Sequence, residues 1–292
     1  MRDAILGEAH LDWDLATAAT PTEVRKLFRR TVPVGIEFGT IGVLDRDNRM
    51  HEVTTFRRDV KTDGRHAVVE FGASLDEDLA RRDFTINAIA FDPINHRLYD
   101  PFGGQIDLTR RVVRAVGEAE ARLREDRLRA LRAIRFAGRF GFEIEHSTWT
   151  AIVGSAPFLT RLSPERVKQE LEKTMEQVLA PSTAFARWRD AGAFASVVPT
   201  LARVGDETLR AIDALPRPGL AGRPLRKVLR LAALFSEGDG RQAERALRDL
   251  RFSNVDIATV SALVDRWSRF APSLTETMAS GSLPDDAALR RL

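Results

Sequence analysis

Hydrophobic residues in the first hundred positions occur in short runs separated by turn-forming residues. Three runs are rich in β-branched residues and bounded by Gly, Asp or Asn, which is the pattern of strands in a sheet. The three predicted strands are TIGVL at 40–44, HEVTTF at 51–56 and AVVEFG at 67–72. Between the last two lies RDVKTDGRH (58–66), which has Asp63-Gly64 at its centre and predicts a flexible hairpin loop.

Two helix starts can be read in the same region. The segment TPTEVRKLF has Thr20 and Pro21 followed by Glu23, a typical helix N-terminal signature. The segment beginning SLDEDLARR predicts a second helix, which Ser74 or Asp76 would cap.

From Glu118 onward the pattern is almost wholly helical, with Ala, Leu, Arg and Glu dominating and Pro and Gly dividing it into segments. Strands mixed with helices, followed by helices alone, predict an α+β protein with an N-terminal mixed sheet and an all-helical remainder. We place the predicted domains at 1–115 (head), 116–180 (helical neck) and 181–292 (helical body).

Composition restricts the class of protein. The 292 residues include no cysteine, which excludes disulfides and thiolate metal sites and fits a cytoplasmic protein. No run of 18 apolar residues and no apolar N-terminal region occurs, so we expect neither a membrane span nor a signal peptide. Only five of the 45 basic residues are lysines. Arginine suits a nucleic-acid or nucleotide partner, although codon usage in a GC-rich genome is an equally good explanation.

The stretch Asp12-Trp13-Asp14 carries the first candidate chemistry. On a strand, residues two apart point to one face, and two adjacent carboxylates require a cation or a shared proton. Mg²⁺ is held by one or two carboxylates together with substrate phosphates. Glu52, in a neighbouring predicted strand, is the candidate third carboxylate. Alone, this spacing is typical of a solvated turn or a helix start.

A second candidate is EDRLRALRAIRF (125–136). Leu128, Leu131 and Ile134 form an apolar stripe, and Asp126, Arg129 and Arg132 follow another side of a predicted helix. Such a pattern is ordinary on surface helices. However, Asp accepts and Arg donates hydrogen bonds. Cytosine and adenine each present an amino donor beside a ring acceptor, whereas guanine and uracil present the reverse. An Asp–Arg pair would therefore accept C and A and leave the wrong base with unpaired polar groups, at about 1–3 kcal/mol.

A third candidate is RRDFTIN (81–87). Arg82 would hold a triphosphate, and Asp83 would accept a hydrogen bond from a ribose hydroxyl. A charged helix end explains the same residues without any ligand.

Five segments, in this order and spacing, resemble the class II tRNA nucleotidyltransferase (CCA-adding enzyme) and bacterial poly(A) polymerase family. They are DWDLATAATPTEV, HEVTTFR, RRDFTINAIAFD, EDRLRALRAIRFAGRFGFEIE and SPERVKQELEK. The resemblance is dense over residues 1–180 and continues beyond them only as helical character.

The resemblance implies a polymerase-β-type nucleotidyltransferase head followed by a helical neck and body. It implies metal binding by Asp12 and Asp14, and catalysis by these two with Glu52 as the less secure third carboxylate. It also implies that the remaining site residues bind substrate: Arg2, Arg82, Asp83, Asp126, Arg129, Arg132 and Arg135. Within that group Asp126 and Arg129 match a protein template for the incoming base.

The implied reaction adds C, C and A to tRNA 3′ ends from CTP and ATP, with Mg²⁺ as cofactor and pyrophosphate as product. Addition of A alone stays open beside CCA addition, and poly(A) polymerase is the near alternative, since these activities are poorly separated by sequence. The family's entry motif reads Gly-Gly-x-Val-Arg-Asp, whereas this chain has Met1-Arg2-Asp3, and the C-terminal tail is short. We therefore expect an N-terminally truncated chain that lacks most of its tail, and a catalytically impaired RNA-binding relative is a further alternative.

Overall fold

The computed structural model describes residues 1–8, 13–62, 67–215 and 225–281, with the backbone alone at 58–62, 67–69 and 225–226. The chain divides into two compact units. The first contains Met1–Asp126 together with Glu143–Thr148, and the second contains Arg127–Phe142 and the residues from Trp149 onward.

The first unit mixes strands with short helices. Its strands are β1 (Leu15–Thr17), β2 (Thr31–Gly35), β3 (Thr40–Leu44), β4 (Met50–Thr55), β5 (Arg57–Thr62), β6 (Ala67–Phe71), β7 (Ala90–Asp92), β8 (Arg97–Tyr99), β9 (Val112–Val113) and β10 (Glu143–Ile144). Its helices are α1 (Arg2–Ile5), α2 (Pro21–Leu27), α3 (Leu75–Ala80), α4 (Gly104–Arg110) and α5 (Ala119–Glu125).

Four strands form a mixed sheet in the order β1-β4-β3-β2, in which β1 runs parallel to β4 and the other pairs are antiparallel. One face is covered by α2, because Val24 of that helix packs with Ile41 and Val43 in a buried cluster. Helix α2 begins with a capping box between Thr20 and Glu23. Glu52 is aligned with Gly42 and so lies on the opposite face of the sheet from Ile41 and Val43.

Most of the strand and helix predictions for this unit are confirmed. Strand β3 occupies the predicted residues, β4 and β6 differ from prediction by one residue at their ends, and Ser74 caps α3 in a capping box with Glu77. The predicted hairpin loop is wrong over 58–62, since these residues belong to β5 and pair antiparallel with β6. The predicted turn at Asp63-Gly64 lies outside the described residues.

The second unit is built from helices. They are α6 (Leu128–Phe140), α7 (His146–Ser155), which begins in the first unit, α8 (Pro164–Gln177), α9 (Pro181–Asp190), α10 (Ala193–Val197), α11 (Asp206–Ala214), α12 (Leu225–Leu234), α13 (Gly240–Asp249) and α14 (Asn254–Ala279). Short 3₁₀ turns occur in both units, at Ile36–Phe38, Thr85–Asn87, Ala156–Arg161 and Pro199–Leu201.

Helix α6 is held in the second unit by its apolar stripe. Leu128, Leu131 and Ile134 are buried, as predicted. On the same helix Gly138 permits a close approach, because a Cβ there would lie 3.1 Å from Val178 and 3.2 Å from Ala184. A side chain at this position would push α6 away from the neighbouring helix α9.

The fold prediction is confirmed in class: a mixed sheet with helices is followed by a helical remainder. The domain boundaries at 115 and 180 stay predictions. Across the part of the chain that the structure describes, no helix has the length and apolar character required to cross a membrane.

Candidate functional site

Glu52 belongs to β4, and Asp14 immediately precedes β1. The parallel register aligns Leu15 with Val53. Continued back by one residue, it would set Asp14 level with Glu52. Neighbouring parallel strands are about 4.8 Å apart, and aligned residues share a face. Asp14 is exposed and Glu52 half-buried. Glu52 is aligned in turn with Gly42 of β3, where a Cβ would lie 2.8 Å from Met50 Sδ and 3.0 Å from Val34 Cγ2.

The carboxylate pair fits a hard divalent cation in its chemistry. Exposed oxygen ligands on one face can hold such an ion while a substrate phosphate completes the coordination. Asp12 lies outside the described residues, so its position relative to Asp14 stays a prediction. In the described ranges no group of three potential metal ligands occurs. Asp14 itself precedes β1, which begins at Leu15.

Arg2 and Asp83 are linked through Asn87. The Arg2 guanidinium donates to the side-chain carbonyl of Asn87, and Asn87 Nδ2 donates to Asp83 Oδ1 at 2.9 Å. The same oxygen accepts from the backbone N–H of Phe84 at 2.9 Å. Asp83 is 8% exposed, so these bonds fix the orientation of a nearly buried carboxylate. Sequence reasoning did not assign Asn87, although it lies four residues after Asp83 in the same motif.

Arg82 lies beside a second residue that sequence reasoning did not assign. Asp78 of α3 is 1% exposed, and its carboxylate binds both Arg81 and Arg82. The i,i+3 and i,i+4 spacing to these arginines was the available signal, since residues so spaced on a helix are neighbours.

The pKa of the Met1 amine is lowered from its ordinary value, chiefly by burial. The Asp3 carboxylate raises this pKa, Arg2 lowers it, Asp14 raises it and Arg82 lowers it. Three predicted site residues, Arg2, Asp14 and Arg82, thus act electrostatically on this amine.

Asp126, which the sequence predicts to read the base from a helix, lies outside any helix. Helix α5 ends at Glu125, and Asp126 has extended backbone angles (φ −147°, ψ 105°). Helix α6 then starts at Leu128. The prediction of one continuous helix from 125 to 136, with Asp126 and Arg129 one turn apart, is therefore wrong. Asp126 is half-buried at the end of the first unit.

Arg129, Arg132 and Arg135 are all carried by α6 in the second unit. Arg129 and Arg132 are half-buried, and the Arg132 guanidinium lies 5.4 Å from the centre of the Phe136 ring. Arg135 is 4% exposed and donates to Glu170 and Gln177 of α8. Burial and an internal ion pair make Arg135 a link between two helices.

Comparison with known families gives two matches. Residues 1–114 match the model described as "Poly A polymerase head domain", and residues 141–204 match "Probable RNA and SrmB-binding site of polymerase A". The first match contains the candidate carboxylates with Arg82 and Asp83, and the second contains Glu170.

Two relatives are CCA-adding enzymes. The protein of Geobacillus thermodenitrificans is 42% identical over 236 residues, which are 80% of this chain and 57% of that protein. The protein of Geobacillus stearothermophilus is 43% identical over 242 residues, covering 80% of this chain and 52% of that one. This chain therefore spans little more than half the length of these relatives.

Solved structures agree with the sequence comparison. The Bacillus stearothermophilus CCA-adding enzyme in complex with CTP matches with a TM-score of 0.73 at 36% identity, over 94% of this chain and 64% of that one. A tRNA nucleotidyltransferase complexed with a primer tRNA and an incoming ATP analogue matches with a TM-score of 0.74 at 25% identity, over 94% and 81%.

Proposed function

Because the chain belongs to the tRNA nucleotidyltransferase (CCA-adding enzyme) and bacterial poly(A) polymerase family, we propose that it adds CCA to tRNA 3′ ends without a nucleic-acid template. CTP and ATP are the substrates and pyrophosphate is the product. The observation that carries this proposal is the parallel pairing of β1 with β4, whose register, continued by one residue before Leu15, would set Asp14 opposite Glu52.

Nucleotidyltransferases of this family use divalent metal ions. We assign Mg²⁺ to Asp12 and Asp14, with Glu52 as the third carboxylate. When bound, the ion supplies a Lewis acid that lowers the pKa of the attacking hydroxyl and neutralises the leaving pyrophosphate.

The polar residues of the first unit bind the nucleotide in this proposal. Arg82 contacts the triphosphate, and Asp83, oriented by Asn87, accepts a hydrogen bond from the ribose. Arg2 holds Asn87 in place. The RNA 3′-hydroxyl releases its proton to solvent as its oxygen bonds to the α-phosphorus, and the bond from this phosphorus to the pyrophosphate oxygen breaks.

Asp126 and Arg129 select the base by hydrogen-bond complementarity, and Arg132 makes a further nucleotide contact. Asp126 lies in the break between α5 and α6, so its side chain is not fixed on the surface of either helix. This position favours the base-selecting role. For Arg135 the contacts favour a different role from the nucleotide contact implied by resemblance. Its buried pair with Glu170 supports positioning of α6.

The deciding experiment is nucleotide incorporation into tRNA that lacks its 3′ end, with CTP alone, ATP alone and both together. CCA addition is expected to stop after two C residues with CTP alone and to finish only when ATP is present. Extended ATP-only tailing of arbitrary RNA would favour poly(A) polymerase, the activity named by the matching head model. Binding of tRNA with no incorporation of any nucleotide would favour an impaired RNA-binding relative.

A further inference from the structure

The Asp78 carboxylate is shared unequally between two adjacent arginines. Arg81 donates to Oδ1 twice, from Nε at 3.0 Å and from Nη2 at 2.8 Å. Arg82 donates to Oδ2 once, from Nη2 at 3.3 Å. The shorter and doubled contact makes Arg81 the principal partner of the buried charge.

The two arginines also differ in how far their side chains are exposed to solvent. Two guanidinium groups share one carboxylate, so the three side chains together carry a formal net charge of +1. The Arg82 side chain is 33% exposed, against 20% for Arg81 and 2% for Asp78. Of the two arginines, Arg82 is therefore the more accessible to a ligand.

The Asp78 carboxylate is itself fixed in place. Its Oδ1 accepts from the backbone N–H of Arg57, the first residue of β5, at 3.4 Å. The Arg57 guanidinium in turn donates to the backbone carbonyl of Phe38. The carboxylate thus joins α3, the start of β5 and the arginine pair at one buried point.

Arg82 retains unused hydrogen-bonding capacity. Its Nε is buried and has no hydrogen-bond partner among the described residues. An unmade bond of this kind carries a desolvation cost, which an anionic ligand that draws the side chain forward can relieve. Arg82 is therefore oriented by Asp78 through one weak contact but not saturated by it.

We propose that Asp78 is a positioning residue for nucleotide binding: neutralised by Arg81, it holds the Arg82 guanidinium where a nucleoside triphosphate meets it. The inference rests on the proposed function in assigning Arg82 to the triphosphate. Without Asp78, two neighbouring guanidinium groups repel each other, and the long Arg82 side chain must be ordered when the ligand binds.

The experiment is a double-mutant cycle with Asp78→Asn, Arg82→Gln and the two together. The readouts are the dissociation constants of CTP and ATP and, separately, KM and kcat for incorporation. Asp78→Asn is expected to weaken nucleotide binding and raise KM on the order of tenfold, the size of one lost charge-assisted contact. In the Arg82→Gln background the same change is expected to have little effect, because the residue through which Asp78 acts is gone.

The matched control is Asp76→Asn, which removes the same charge from an exposed position of the same helix and is expected to leave nucleotide binding unchanged. If Asp78→Asn does not fold, Arg81→Gln decides. That variant removes the principal partner of the carboxylate, draws Arg82 inward and is expected to weaken nucleotide binding.

Additive effects in the cycle, unchanged affinity in a folded Asp78→Asn variant, or tighter binding by it would overturn the inference. If Asp78→Asn does not fold, parent-like affinity in Arg81→Gln overturns it. A parent chain that binds nucleotide but incorporates none would overturn the proposed function instead, and the affinity cycle would still decide the role of Asp78. No nucleotide binding by the parent chain would overturn both.

Discussion

Arg135 donates from Nε to Glu170 Oε2 at 2.7 Å, and both side chains are almost fully buried, at 4% and 1% exposure. The Arg135 Nη1 atom also donates to Gln177 at 2.9 Å. An arginine taken for a nucleotide contact in the sequence thus joins α6 to α8 through a buried, hydrogen-bonded ion pair.

Arg135→Ala is expected to lower the free energy of unfolding by about 3 kcal/mol, because it leaves the buried Glu170 carboxylate without its arginine. Urea unfolding followed by circular dichroism measures this. The control is Arg248→Ala, which breaks an exposed pair with Glu244 on α13 and is expected to cost less than about 1 kcal/mol. Equal stabilities of the two variants would contradict the structural role of Arg135.

Asp14→Ala is expected to abolish nucleotide incorporation, by about a hundredfold or more, while the midpoint of thermal unfolding stays unchanged. Asp14 is exposed, so its side chain contributes little to packing. Asp47→Ala, at an exposed turn between β3 and β4, is the control and is expected to retain activity. Incorporation by Asp14→Ala at the parent's rate would refute the metal assignment.

Asp126→Ala is expected to relax discrimination against UTP and GTP by about 10- to 100-fold, the factor corresponding to one unpaired polar group. Competition assays with each wrong nucleotide measure the ratio. Glu120→Gln removes a carboxylate from an exposed position of α5 and should leave selectivity intact. If Asp126→Ala rejects UTP and GTP as well as the parent does, base reading by this residue fails.

The lowered pKa of Glu145 is expected to make part of the free energy of unfolding sensitive to acid. Burial raises its pKa, but hydrogen bonds from Ser147 and Thr148 at the start of α7 outweigh this and lower the pKa to about 2 from an ordinary 4.5. A lowered pKa in the folded state stabilises the protein above the unfolded-state value, and that contribution is lost as pH falls from 4.5 toward 2. Unfolding free energy should therefore fall more steeply over this range in the parent than in Glu145→Gln. Parallel pH profiles of the two proteins would contradict the capping role.

The sequence by itself determined the features that depend on neighbouring residues. Strand β3, the capping boxes of Ser74 and Thr20, and the apolar stripe of α6 follow from local periodicity and side chains that bond within one turn. The candidate groups around Asp14 and Arg82 were likewise visible as motifs, because the residue types required for metal and phosphate binding are few.

The tertiary structure decided which side chains are committed to partners far along the chain. Arg135 and Glu170 are 35 residues apart, and Asp78 accepts from Arg57 across 21 residues. Sequence period cannot distinguish a guanidinium facing a ligand from one facing a buried carboxylate, since both occupy the same helical pattern. The break at Asp126 could not be predicted from the sequence, because Glu125-Asp126-Arg127 is compatible with a continuous helix. Only the folded chain shows where α5 ends and α6 begins.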